Sequence, residues 1–223
     1  IIFGNGEIAD LAHQYFTKDS NFEVVGFTAD SDIGKEDNFK NLPLVPFEEL
    51  EKKFSNKNFL VHVAISYKKL NKLREQKFIE CKKKGYNFAS YISSKSVILT
   101  EQKNLGDNLF ILEGQTIQAG VKISDNVMIW SNNHIGHNTS IGKHTYISSG
   151  VVISGYCKIG DRCFIGVNSS VTDFCTIGND CFITMGSMIS SDIKNDSTTV
   201  IKSTLIYDSE SKVNRVLKKK YFD

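Results

Sequence analysis

Every sixth residue from Leu105 to Ile189 is a branched aliphatic. The series runs Leu105, Ile111, Ile117, Ile123, Ile129, Ile135, Ile141, Ile147, Ile153, Ile159, Ile165, Val171, Ile177, Ile183 and Ile189, and thirteen of its fifteen members are isoleucine. A six-residue period suits neither an amphipathic helix nor an alternating strand. It suits a triangular solenoid in which each six-residue side points one aliphatic inward, with eighteen residues per coil and about five coils.

A second phase supports the same reading. Two residues before the later aliphatics stand Thr139, Thr145, Val151, Cys157, Cys163, Ser169, Cys175, Cys181 and Ser187, small enough to share a tight interior. Glycine follows the aliphatic at Gly106, Gly136, Gly142, Gly160, Gly166 and Gly178, where a corner is expected to favour a permissive backbone. Cys157 and Cys175 are one coil apart, as are Cys163 and Cys181. Four regular cysteines invite a zinc reading. The spacing is that of the repeat, however, and no C-x-x-C occurs, so they are expected to be buried small residues. Cys81 lies in an expected helix.

The first ninety residues read differently. "IIFGNGEIADLAHQYF" gives strand, glycine turn and helix, with Ile8, Leu11, Ala12 and Phe16 on one helix side. "FEVVGFTAD" gives a second strand ending at Asp30, "LPLVPFEEL" an extended piece and short helix, and "NFLVHVAIS" a third strand; residues 67–84 read as a lysine-rich helix. The order βαβαβα predicts a small parallel sheet. Gly4, Asn5 and Gly6, with Ala9 near the third glycine position, are half of a dinucleotide fingerprint, which offers backbone N–H groups and a helix N-terminus to a phosphate. Asp30 is spaced to reach a ribose or base. A tight turn needing glycine explains the same residues without a ligand. The region is too short for a full dinucleotide domain, so a mononucleotide-binding half is expected.

A net charge of +2 gives no electrostatic footprint for nucleic acid, and no apolar run approaches the roughly 18 residues of a membrane span. The lysine runs Lys82–Lys84 and Lys218–Lys220 read as solvated helix faces. "IIF" running into a glycine turn reads as a buried strand rather than a signal peptide. Together these predict a cytoplasmic protein.

"HIGHNTSIGKH" holds three of the five histidines. Against the repeat, His134 falls on an outer coil side, whereas His137 and His144 fall near corners. They span little more than half a coil, so they do not converge as metal ligands, and no metal is expected.

The motif [LIV]-G-x-x-[small]-x over residues 99–190 resembles the left-handed parallel β-helix of hexapeptide-repeat acyltransferases. With the small α/β region ahead of it, nearly the whole chain resembles bacterial sugar acyltransferases of the sialic-acid O-acetyltransferase type, including N-acetyltransferases of nucleotide-linked amino sugars. The resemblance implies a small Rossmann-like nucleotide-sugar-binding domain over 1–90, a left-handed β-helix over 91–193 and a C-terminal extension over 194–223 whose helix caps the last coil. It implies a homotrimer with acetyl-CoA between adjacent β-helices and a nucleotide sugar at Gly4, Asn5, Gly6 and Asp30, UDP- or dTDP-linked before GDP-linked. The family's H-x-x-x-I-G is met by His137, Ile141 and Gly142, making His137 the expected general base. Gly155, eighteen residues on, is the expected backbone donor to the oxyanion. Acetyl-CoA contacts are expected at Gly155, Ile165, Gly166 and Gly186, with 167–173 beside them.

The chain departs from the family at several points. The glycine loop is shorter, Ala29 replaces a second acidic residue, a proline-containing tail is absent, and Asn138 stands where a glutamate often follows the histidine. The last change leaves Asn138 to orient the ring and moves the carboxylate partner elsewhere, for instance to Asp125. Histidine suits the role because its ordinary pKa lies near 6.5, and an attacking amine or hydroxyl must lose a proton. The resulting oxyanion is stabilised by a preorganised donor. The expected reaction is direct acetyl transfer to an amino sugar. The alternatives are a sugar O-acetyltransferase and a non-catalytic trimeric nucleotide-sugar-binding scaffold. γ-class carbonic anhydrases share the repeat and use three histidines across an interface, but this histidine spacing is not theirs.

Overall fold

The computed structural model describes residues 1–30, 37–201 and 208–222. From residue 91 the chain winds as a left-handed parallel β-helix with three flat faces. The first face stacks Tyr91–Ile92, Phe110–Ile111, Met128–Ile129, Tyr146–Ile147, Phe164–Ile165 and Phe182–Ile183. The second stacks Val97–Ile98, Thr116–Ile117, His134–Ile135, Val152–Ile153, Ser170–Val171 and Met188–Ile189, and the third Lys122–Ile123, Ser140–Ile141, Lys158–Ile159 and Thr176–Ile177. The register is the sequence period itself: Ile129 pairs with Ile147, Ile135 with Ile153 and Ile141 with Ile159.

The period places the core. All the aliphatics from Ile111 to Ile189 are buried, and so are the small residues of the second phase, from Thr139 to Ser187. The five cysteines are buried free thiols, and burial pushes the Cys81 and Cys163 thiols up to about 12. Among the described residues no cluster of three His, Cys, Asp or Glu is arranged to hold a metal ion.

The corner glycines have a different cause from the one expected. A Cβ on Gly136 would lie 2.6 Å from the Gly155 nitrogen, and one on Gly142 would lie 2.6 Å from the Asp161 nitrogen. The next coil passes too close for a side chain, and neither glycine is left-handed. The left-handed residue comes three places after each aliphatic from Leu105 to Ile183. It is asparagine at Asn126, Asn132 and Asn138, which tolerate that backbone through local side-chain hydrogen bonding. Four corners instead force it on bulkier residues: His144, Tyr156, Arg162 and Phe174.

The N-terminal domain is built from β1 (Ile2–Phe3), α1 (Glu7–Lys18), β2 (Phe27–Ala29), β3 (Asn38–Phe39), β4 (Leu42–Pro46), α2 (Leu50–Lys53), β5 (His62–Val63) and α3 (Lys72–Lys83). The sheet order is β3-β4-β2-β1-β5, parallel except for β3 against β4. Because β2 and β4 lie on one side of β1 and β5 on the other, the loops after β1 and β5 part at a topological switch point, where open α/β sheets bind ligands.

This domain docks on the first face and on the corner joining the third face to the first. Tyr67 packs edge-on against Tyr146 and Phe164. Lys69, Leu70 and Asn71 are three consecutive left-handed residues, held because Asn71 is fully buried and its amide donates to the carbonyls of Arg162 and Cys163. Arg74, also fully buried, donates to the carbonyls of Asn126 and His144 and to Asn71 Oδ1. Glu75 pairs with Arg162, which grips Asp180 through two nitrogens.

His144 sits inside this joint at 5% exposure, its Nδ1 2.8 Å from the Asn126 amide nitrogen. It lies near a corner as expected, but that corner is the one the α/β domain covers, so the ring is buried.

At the far end the last aliphatic rungs are covered by irregular chain, with Ile193 bridging to Ile177 and Thr198 to Phe182. The expected C-terminal helix is α4 (Lys212–Phe222), but Val213, Val216 and Leu217 on it are exposed, so the coil end is closed by 193–199 rather than by the helix. Residues 202–207 of the expected cap lie outside the described residues. Among the described residues no helix is long and apolar enough to cross a membrane.

Burial holds His62 and His144 down to about 4. Both imidazoles are therefore neutral in the fold, whereas in an unfolded chain they take up a proton near pH 6.5. Unfolding consumes protons between those values, so this stability is complete above about pH 6.5 and is lost as pH falls toward 4. At about 1.4 kcal/mol per pKa unit the loss reaches roughly 3 kcal/mol for each histidine. Urea melts at pH 7 and pH 4.5 should show the decline, and His144→Gln should flatten it.

Candidate active site

The corner between the second and third faces carries the histidine of interest. The left-handed Asn138 ends that corner's turn, and the backbone before it turns the His137 side chain outward. His137 is exposed. Its N–H donates to Gln118 Oε1 at 2.8 Å from the coil below, and its carbonyl accepts from the Tyr156 N–H at 2.9 Å from the coil above. The backbone is thus clamped on both sides while the ring is free to meet a ligand.

Asn138 Nδ2 lies 3.3 Å from His137 Nδ1. Its amide offers a donor and an acceptor, so it can meet either neutral tautomer. With the oxygen toward a protonated Nδ1, the Nε2 lone pair is free to accept a proton. On the other side the ring meets Tyr156 edge-on, 4.9 Å between centroids at 89°. Tyr156 stacks on Phe174 at 5.2 Å and 8°, and the two rings are 48% and 72% exposed. They form an apolar wall rising from the histidine along the coil axis.

Gly155 stands one coil above His137, as the spacing predicts. A Cβ there would lie 2.9 Å from both His137 Cε1 and Nε2, so glycine is what lets the imidazole lie flush on the backbone. The Gly155 N–H, expected to await an oxyanion, donates to Asp173 Oδ1 at 2.8 Å. Asp173, Tyr156, Phe174 and Gln118 were not singled out from the sequence. The signal was available: Ala119, His137, Gly155 and Asp173 share one phase of the eighteen-residue period.

Other expected site residues are placed elsewhere. Asp125 lies on the corner between the third and first faces, where its Oδ1 accepts from the Asp107 N–H at 3.1 Å; it is not the partner of His137. Ile165 is a fully buried core rung whose side chain cannot touch a ligand. Gly166 is buried, and a Cβ on it would lie 2.5 Å from the Met185 nitrogen, so coil packing accounts for it. Gly186 is exposed and left-handed at φ 69°. Both lie on the corner joining the first face to the second, so one chain does not bring them to His137. His134 is half-buried on the second face, in the row of Thr116 and Val152.

In the N-terminal domain, Gly4 has φ 131° and a Cβ there would lie 2.8 Å from the Ala64 carbonyl oxygen, so the β1–β5 crossing itself demands glycine. Gly6 begins α1 without a side-chain cap, and a Cβ on it would meet nothing within 4 Å. Asn5, half-buried between them, completes the loop. This helix start is open, as anion binding requires. Asp30, at the end of β2, accepts from Lys77 Nζ at 2.7 Å, which also binds Glu80 at 2.8 Å.

The three-sided coil, its period and the flush histidine–glycine pair define a hexapeptide-repeat β-helix behind a small α/β domain. Residues 105–155 and 156–191 match the family model of the bacterial transferase hexapeptide (six repeats). The fold is similar to PerB from Caulobacter crescentus, solved with CoA and GDP-perosamine: 21% identity over 88% of this chain and 91% of that one, TM-score 0.77. It is also similar to the acetyltransferase domain of PglB from Neisseria gonorrhoeae, at 19% identity over 88% and 93% and TM-score 0.74, and to WeeI from Acinetobacter baumannii, at 18% over the same shares and TM-score 0.74. No curated protein sequence matches the chain.

Gly155→Ala is expected to fold, because the added methyl meets the movable end of an imidazole rather than backbone. The His137 ring should swing off the corner. A crystal structure of the variant, or the ring resonances in an NMR spectrum, will show the displacement, and an unmoved ring would refute the flush contact.

Proposed function

We propose that the protein is an acyltransferase that moves an acetyl group from acetyl-CoA to the amino group of a nucleotide-linked deoxyamino sugar. The observation that carries the reading is the His137 imidazole lying flush on Gly155 at an exposed corner. Two things support the chemistry. The similar Caulobacter fold was solved with CoA and GDP-perosamine, as were forms of it with one histidine changed to asparagine or alanine, and the Neisseria domain was solved with acetyl coenzyme A.

In this reading His137 Nε2 takes a proton from the attacking nitrogen, with Asn138 holding the ring by Nδ1. The thioester oxygen becomes negative at the Gly155 N–H. The Tyr156–Phe174 wall limits water on one side. The nucleotide is held by Gly4, Asn5, Gly6 and the start of α1, beside Asp30. The family resemblance favours UDP or dTDP; the Caulobacter ligand is a GDP sugar, so a substrate panel must span all three.

The reading includes a homotrimer. The corner carrying His137 is opposite the first face, on which the N-terminal domain docks, and Gly166 and Gly186 lie on a third edge. A sugar nucleotide held by one chain's α/β domain therefore reaches a neighbour's His137, and acetyl-CoA lies between β-helices. Light scattering should return the mass of three 25.0 kDa chains.

The test of function is mass-spectrometric. Protein, acetyl-CoA and a panel of UDP-, dTDP- and GDP-linked amino sugars should give an acetylated product. His137→Ala should lower kcat by roughly 10²–10⁴, the usual worth of a general base. A loss under about threefold in a folded variant would remove His137 from the role.

A further inference from the structure

Resting on the acetyltransferase reading, we propose that Asp173 is the residue that recognises the acceptor as an amine: its carboxylate binds the acceptor's ammonium group and makes the enzyme discriminate against hydroxyl acceptors.

The geometry starts at Gly155. The carbon position above it lies 2.9 Å from His137 Nε2 and 3.3 Å from Asp173 Oδ1. The imidazole comes from the coil below and the carboxylate from the coil above, and the two atoms are at most about 6 Å apart. Two hydrogen bonds of about 2.9 Å reach across up to about 5.8 Å, so a nitrogen held outward of the Gly155 Cα meets both groups when they lie inside that bound. Asp173 is exposed, and among the described residues no lysine or arginine forms an ion pair with it. Among the described residues the group that donates to it is a neutral amide, the Gly155 N–H. The exposed edges of Tyr156 and Phe174 flank the same spot, and aromatic side chains are good neighbours for a cation.

The chemistry of the acceptor fits these partners. A primary amine arrives at neutral pH as an ammonium with three donors and no acceptor. It releases one proton to water, and its lone pair forms the C–N bond to the thioester carbon, leaving the oxygen negative. The nitrogen is then positive again with two N–H bonds. Asp173 holds one, and His137 Nε2 removes the proton of the other. Collapse of the oxyanion breaks the C–S bond, and the imidazolium returns its proton to the departing thiolate, giving amide and CoA thiol. The carboxylate is unchanged throughout. A hydroxyl acceptor brings no cation and gains nothing from it.

The same contact bears on the oxyanion donor. While Asp173 caps Gly155, that N–H is engaged. An arriving ammonium brings a full unit charge where the amide offers only a dipole, so it competes for the carboxylate and draws it off the amide. The acceptor thereby frees the donor that its own reaction needs.

Asp173→Asn is the informative variant, because its amide oxygen can still accept from Gly155 while the charge is gone. The assay uses the full chain, the nucleotide amino sugar and its hydroxyl counterpart, with CoA affinity and melting temperature as controls. We expect kcat/KM for the amine to fall roughly 10–100-fold. CoA affinity and melting should be unchanged, the preference for the amine over the hydroxyl sugar should shrink, and Asp173→Glu should restore part of the loss. Amine acetylation within threefold of wild type in Asp173→Asn overturns the role of Asp173 while the acetyltransferase reading stands. A wild-type enzyme that acetylates only hydroxyl sugars, or no sugar, overturns both.

Discussion

One hydrogen-bonding constraint organises the molecule: each coil's backbone pairs with the coil eighteen residues away, in register, on all three faces. Once that ladder forms, the side-chain period has no freedom. Every inward position meets its own kind above and below, which is why a run of isoleucines packs as one continuous column and why small residues must alternate with them. Every outward position becomes part of a column. Function then depends on what each column carries, and the column Ala119, His137, Gly155, Asp173 carries the chemistry.

Strict periodicity also explains how much could be read without coordinates. The rungs, the inward cysteines and the nearness of His137 to Gly155 are consequences of counting in sixes and eighteens. Asp125 was offered as an instance of the carboxylate partner, and its phase puts it on a different corner from His137. Ile165 was offered as an acetyl-CoA contact among mostly backbone ones, and its side chain is a core rung.

What could not be read depends on contacts between unlike parts. The burial of His144 and Arg74 follows from where the α/β domain docks, and nothing periodic announces that. The left-handed run Lys69–Asn71 is stable only because Asn71 finds carbonyls nearly a hundred residues away. The glycines after the aliphatics were visible, but their cause was not. They answer to the backbone of the next coil, whereas the left-handed corners fall two residues further on and accept even tyrosine and phenylalanine.

Those two aromatic corners carry a broader consequence. Tyr156 and Phe174 occupy positions where this chain most often uses glycine or asparagine, so local backbone preference argues against them. Neither side chain contributes to the coil interior, although both backbone N–H groups bond to the coil below. A corner column of this kind is a writable surface on a scaffold whose folding is specified elsewhere. Lineages can exchange residues in it one coil at a time, trading backbone comfort for a new binding partner, without renegotiating the fold.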